Sequence, residues 1–166
     1  LQYEFKDGIN AYLAALGPNS PMRTLEDLIR FNDENREREL PFFGQETLLK
    51  AQEKGPLTER AYLDAVANAK RLAGKEGIGA VMDEHRLDAI VAPTWGPAGI
   101  IDPVYGDRGE GGSSSPAATA GYPNITVPAG DAFGLPIGVS LFGRAWSEPV
   151  LLKIAYAFEQ QGILHL

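Results

Sequence analysis

The chain has 166 residues, with 15 Lys+Arg against 22 Asp+Glu, a net charge of −7, no cysteine and 44% apolar side chains. That balance argues against nucleic-acid binding, which calls for a basic face. The missing cysteines exclude disulfide frameworks, thiolate metal sites and thiol catalysis. No apolar run approaches the roughly 18 residues of a membrane span, and no basic start leads into an apolar leader.

The predicted elements begin with a helix over 1–16, where Leu1, Phe5, Ile9, Tyr12, Leu13 and Leu16 recur at steps of three and four. Gly17-Pro18 stops it. Thr24 with Asp27 three positions on reads as a capping box opening a helix over about 25–36. A short helix is expected over 45–54, before Gly55-Pro56. Thr58 is placed to cap a long helix through Ala61, Ala65, Val66, Ala69, Leu72 and Ala73. Gly74, Gly77 and Gly79 weaken its continuation to His85, at about 1 kcal/mol each relative to Ala.

Composition changes near residue 87. Of the 12 prolines 8, and of the 19 glycines 11, fall between positions 93 and 149, where charge is sparse. The run Leu87-Asp88-Ala89-Ile90-Val91-Ala92 ends at Pro93 and reads as a buried strand. Ile125-Thr126-Val127 is a second, stopped by Pro128-Ala129-Gly130, and residues 137–142 form a third. Ser147 caps a last helix with Pro149 in its first turn, Val150, Leu151, Ile154, Ala155 and Phe158 on its core face and Gly162 at its end. Residues 95–115 are expected to form an open loop. The resulting fold class is α/β: a helical N-terminal half, about three buried strands and a C-terminal helix. As domains go it reads as one segment, with 1–86 mainly helical, 87–146 strands and Pro/Gly-rich loops, and 147–162 a helix.

Local chemistry is sparse. His85, beside acidic neighbours at a helix end, reads as a solvated or C-capping histidine, and His165 as a tail residue. Neither has a serine partner for a triad. Asp102, Asp107 and Glu110 lack a calcium-loop pattern, so no metal or cofactor is expected, and Asp107-Arg108 reads as a surface ion pair. Gly111-Gly112-Ser113-Ser114-Ser115 is either an anion-binding turn or a flexible lead into Pro116. No Lys follows the glycines, which excludes a phosphate-binding loop of the nucleotide-hydrolase type.

Several stretches resemble the C-terminal region of amidase signature enzymes. They are Ser114-Ser115-Pro116-Ala117-Ala118-Thr119-Ala120-Gly121-Tyr122-Pro123-Asn124-Ile125-Thr126-Val127-Pro128-Ala129-Gly130, then Gly134-Leu135-Pro136-Ile137-Gly138-Val139-Ser140-Leu141-Phe142-Gly143. Leu87 through Thr94 matches an earlier strand and loop. Tyr3-Glu4-Phe5-Lys6, Asn10-Ala11-Tyr12-Leu13 and Leu40-Pro41-Phe42-Phe43-Gly44-Gln45-Glu46 follow the same order.

The resemblance implies a larger mixed sheet flanked by helices. It also implies carboxamide hydrolysis through a Ser–Ser–Lys triad, in which a desolvated neutral lysine serves as the base. That triad is not recognised in these residues. Lys6-Asp7 corresponds to a C-terminal position of the family, and Pro116 with Gly121-Tyr122-Pro123 places the serine run in the later segment, so it imitates the nucleophile's motif. No catalytic residue is therefore expected in this chain.

Further expectations follow from the resemblance. Pro93, Thr94, Trp95, Tyr122 and Asn124 line the acyl side of a substrate cleft; alternatively, the two aromatics pack and the prolines only end strands. The partners are the N-terminal portion of a parent enzyme and a small-molecule amide, with no nucleic acid and no membrane. A start at Leu1 rather than Met fits a processed product or a piece of something longer, which would self-associate through bared strand edges and apolar faces. The compartment is expected to be the cytoplasm. A non-catalytic module, the amidase-like subunit of a tRNA-dependent amidotransferase, and an autonomous hydrolase using Ser113, Ser114 or Ser115 stand as competing readings.

Overall fold

The computed structural model describes residues 1–106 and 111–161. Asp107, Arg108, Glu110, Gly162 and His165 lie outside the described residues. The chain divides into two compact units, Leu1–Ala65 and Val66–Leu166.

The first unit is helical. Helix α1 (Gln2–Ala15) ends before Gly17, whose φ of 85° is the left-handed conformation that breaks the helix. Helix α2 (Leu25–Glu34) starts with the expected capping box: Thr24 Oγ1 accepts from the Asp27 N–H at 3.1 Å, and the Asp27 carboxylate accepts from the Thr24 N–H at 3.1 Å. A single turn, α3 (Arg36–Glu39), follows where sequence periodicity gave no signal. Helix α4 (Glu46–Gln52) completes a small core of Leu25, Ile29 and Ala51, with Ile9, Leu28 and Leu48 packed against it. Lys6 Nζ donates to the carbonyls of Gln52 and Lys54 at 2.7 and 2.6 Å, satisfying oxygens that the end of α4 leaves free.

Helix α5 (Arg60–Lys70) carries the chain into the second unit, beginning two residues after Thr58. The glycines expected to weaken its continuation do something different. Arg71–Gly79 runs as a π-helix and passes directly into α6 (Ala80–Glu84). Glycine fits this segment locally, since a Cβ at Gly79 would sit 3.2 Å from the Gly74 carbonyl oxygen. His85 is the exposed C-cap of α6.

The second unit is built on a three-stranded antiparallel sheet of β1 (Ile90–Pro93), β2 (Asn124–Ala132) and β3 (Leu135–Phe142), in the order β1-β3-β2. Two sequence expectations are corrected here. Pro128-Ala129-Gly130 does not stop β2; it forms a bulge, after which pairing resumes at Gly130↔Ile137. The serine run does not close an open loop either, because Ser114–Ala120 forms a helix, α7, ended by Gly121 at φ 73°.

Strand alternation sends Val139 and Leu141 to one face, where with Val127 and Ile125 they pack on Leu151, Ile154, Ala155 and Phe158 of α8 (Glu148–Gln160). Pro149 does sit in the first turn of α8. Ser147 is its N-cap residue but makes no side-chain cap bond; its hydroxyl donates to the Arg144 carbonyl instead, at 2.8 Å. On the other face Phe142, Ile90 and Ala92 pack against Ile78, Met82, Ala117, Ala120 and Tyr122 from the π-helical segment, α6, α7 and the turn after α7. Among the described residues no helix is long and apolar enough to cross a membrane.

Candidate functional site

The face shared with α7 is apolar at one end and polar at the other. Register places Ile90, Phe142 and Asn124 in one row and Ala92, Ser140 and Thr126 in the next. Thr94 prolongs β1 by donating its N–H to the Gly138 carbonyl at 2.8 Å, which makes a third row of Thr94, Gly138 and Pro128. Directly opposed and i, i+2 residues share a face. Thr94, Thr126, Ser140 and Asn124 therefore form a polar strip on this side of the sheet.

Three hydroxyls of the strip meet. Thr94 Oγ1 lies 2.9 Å from Ser140 Oγ and 3.3 Å from Thr126 Oγ1, and Thr126 Oγ1 is 3.3 Å from Ser140 Oγ. Gly138 permits this, since a Cβ there would fall 2.8 Å from Thr126 Cγ2 and 3.1 Å from Thr94 Oγ1. Ser140 is 1% exposed, Thr94 half-buried and Thr126 exposed. Burying a hydroxyl requires a hydrogen-bond partner, and the ring supplies Ser140 with two.

The segment around the serine run returns to the same place. The Ser113 N–H donates to the Thr94 carbonyl at 3.3 Å, and the Trp95 indole lies against Gly112, where no side chain would fit. Ser113 Oγ is buried without a hydrogen-bond partner. Ser114 and Ser115 are exposed and begin α7. Among the described residues no lysine or histidine hydrogen-bonds to any of the three serines.

The five residues expected to line a cleft separate into groups. Pro93, Thr94 and Trp95 lie together at the end of β1, with Trp95 52% exposed. Asn124 starts β2 rather than ending a strand; it shares the Thr94 face two rows away, exposed. Tyr122 packs in the apolar cluster at the other end of this face and reaches the π-helical segment, its hydroxyl standing 3.1 Å from where a Gly74 Cβ would be. Thr126 and Ser140 were missed by sequence reading. Their signal was present in the alternation of Thr126 and Ser140 with apolar residues in two strand-like runs, but only the register joins them.

Among the described residues no group of three or more His, Cys, Asp or Glu could hold a metal ion. Asp102 instead accepts from the N–H groups of Val104 and Tyr105 at 2.9 and 3.0 Å, closing a local turn. Displaced acidities occur in the first unit. The Tyr3 phenol is pushed up by its hydrogen bond to Glu59, Tyr62 by desolvation and then Glu4, while hydrogen bonds from Arg23 and Thr24 hold the Asp27 carboxyl down.

No family model matches the chain. The structure superposes on the peptide amidase from Stenotrophomonas maltophilia with a TM-score of 0.85 and 48% identity, over 97% of this chain and 32% of that one. A probable amidase of Arabidopsis thaliana is 39% identical over 163 residues, which is 97% of this chain and 28% of the relative. The chain belongs to the amidase family. It corresponds to the C-terminal part of amidase signature proteins and spans under a third of the length of the relatives it matches. A glutamyl-tRNA(Gln) amidotransferase subunit from Levilactobacillus brevis is 47% identical, over 51 residues or 31% of this chain. The amidases therefore match nearly the whole chain, and the amidotransferase protein under a third of it.

Proposed function

We propose that this chain is the C-terminal part of an amidase that hydrolyses carboxamides to a carboxylate and ammonia or an amine. The observation that carries the reading is the near-complete match to a peptide amidase at 48% identity. The Ser–Ser–Lys triad lies in the N-terminal portion, and the 166 residues alone are inactive. In support, the Ser113 hydroxyl oxygen is buried, and Ser114 and Ser115 are exposed at the start of α7. Pro93, Thr94, Trp95, Tyr122 and Asn124 belong to the wall of the substrate cleft, with the polar strip as its nearest polar surface. The compartment proposed is the cytoplasm.

The same reading makes the isolated chain self-associating. In support, Ile100, Ile101, Val104, Tyr105 and Trp146 are each at least 78% exposed. β1 and β2 are both edge strands.

Amide hydrolysis is measured for the isolated chain, for the chain mixed with the N-terminal portion, and for the full-length protein. The reading expects no turnover in the first and turnover in the last. Turnover by the 166 residues alone, abolished by alanine at Ser113, Ser114 or Ser115, would replace it with an autonomous hydrolase. A full-length protein inert on carboxamides but tightly bound to a protein partner would favour a non-catalytic module.

A further inference from the structure

The sheet has two outer edges, and they are built differently. The Thr94 N–H donates to the Gly138 carbonyl of β3, so by antiparallel alternation the backbone groups of Ala92 also face β3 and those of Val91 turn outward. No described strand pairs with that outer side of β1. Both faces beside it are open as well. On the α7 side a groove of about 530 Å³ includes Ile90 and is lined by Leu72, Ile78, Val81 and Pro116. On the other side α8 packs on β2 and β3, and Val91 is left 63% exposed. There a groove of about 630 Å³ opens between Asp88, just before β1, and Val150, Lys153 and Ile154 of α8. The edge of β2 is the opposite case. The same alternation turns Thr126 and Pro128 outward; Pro128 has no N–H to offer, a bulge follows it, and Asp131 stands exposed beyond the bulge. Proline, a bulge and a charge are devices by which a sheet refuses another strand. β1 is apolar and uncharged, and its proline comes only at the last position.

We propose that the sheet is completed at β1: a strand from the N-terminal portion of the parent polypeptide pairs with Val91, and the elements flanking that strand fill the two grooves. The inference rests on the amidase reading, which makes this chain the C-terminal part of one longer polypeptide. The relatives carry over two-thirds of their length outside the matched part, enough chain for such a strand and its covering elements. The chemistry of the occupant follows from what receives it. Its backbone exchanges hydrogen bonds with Val91, and its side chains on the α7 side are apolar, to match Leu72, Ile78 and Ile90. β2 remains an outer edge in the full-length protein.

The test compares the 166-residue chain with the full-length protein by hydrogen exchange read residue by residue, with carboxamide hydrolysis followed separately. The Ala92 amide, bonded to β3, should be slow in both. The Val91 amide should exchange at least about 100-fold more slowly in the full-length protein, as an amide inside a sheet does, while the Thr126 amide stays fast in both. Val91→Pro gives a second reading. The lost N–H serves no bond to β3, so the 166-residue chain should keep its urea midpoint while the full-length protein loses stability. Equal Val91 exchange in the two proteins overturns the inference, and so does slowing at Thr126 in place of Val91. Slowing that grows with protein concentration would put a second copy on β1 and overturn it too, as would a Val91→Pro that weakens both proteins alike. A full-length protein that protects Val91 but never hydrolyses a carboxamide would uphold β1 as the joint and remove the amidase reading.

Discussion

A Cβ placed on Gly77 would lie 2.5 Å from the carbonyl oxygen of Leu72, five residues earlier in the π-helical segment. That relationship reverses an ordinary rule. In an α-helix, Gly→Ala stabilises by about 1 kcal/mol. Here Gly77→Ala is expected to destabilise by about 1–3 kcal/mol, because the carbonyl is backbone and cannot swing aside. Urea unfolding of the variant decides it, and a gain in stability would show that the segment relaxes to α-helix at no cost.

Trp95 and Gly112 make a second exchange of space. Any side chain at Gly112 would overlap the indole, so Gly112→Ala should push Trp95 off its seat and loosen the Ser113–Thr94 backbone bond. With Trp146→Phe as background, Trp95 is the sole remaining tryptophan of the two in the chain. Its emission should shift to the red and become more accessible to quencher in Gly112→Ala; an unchanged spectrum would contradict the packing.

The capping box of α2 should fail in acid. The folded-state pKa of Asp27 is lowered, first by the bond from the Arg23 N–H and then by Thr24, so its stabilisation is complete above the ordinary aspartate value. It is lost as pH falls through the lower, folded value. Between about pH 6 and pH 3, the wild type should therefore lose more stability than Asp27→Ala, read from urea midpoints at each pH. Thr24→Ala should cost about 1 kcal/mol at neutral pH.

The β2–β3 hairpin turns at Phe133-Gly134, with φ of 57° and 78°, the pair of left-handed residues that a type I′ turn needs. Phe133 is fully exposed and gains nothing from the turn. Phe133→Asn should stabilise by about 0.5–1 kcal/mol, since asparagine adopts this conformation more readily. It should also reduce dye binding by the isolated chain. A loss of stability would mean that the aromatic ring has a contact in solution.

The elements that sequence reading located are those with local causes. The Thr24–Asp27 box, the Gly17 stop and the Pro149 start each depend on residues a turn apart, and each was legible. The α3 turn and α7 were not, since Arg36–Glu39 and Ser114–Ala120 present no apolar period. The bulge at Ala129 looked like a strand end because proline and glycine usually stop pairing; only the partner strand reveals that pairing resumes. Thr94 was reached through the family resemblance, while Thr126 and Ser140 depended on a register joining residues 32 and 46 positions from it. The family resemblance reached further than local physics, because motif order survives where periodicity is silent.

The strand order β1-β3-β2 sets a timetable. Of the three described strands the last in the chain is the middle one, so β1 and β2 have no common partner in this sheet until β3 is in place. β2 and β3 can zip at once through a two-residue turn, but β1 must wait and then cross about fifty residues of intervening chain to find its place. In refolding of the isolated chain, the run from Ile90 to Pro93 is therefore the last of the three strands to join. Hydrogen-exchange labelling during refolding of the isolated chain should protect the amides of β2 before those of β1, and simultaneous protection would contradict that order.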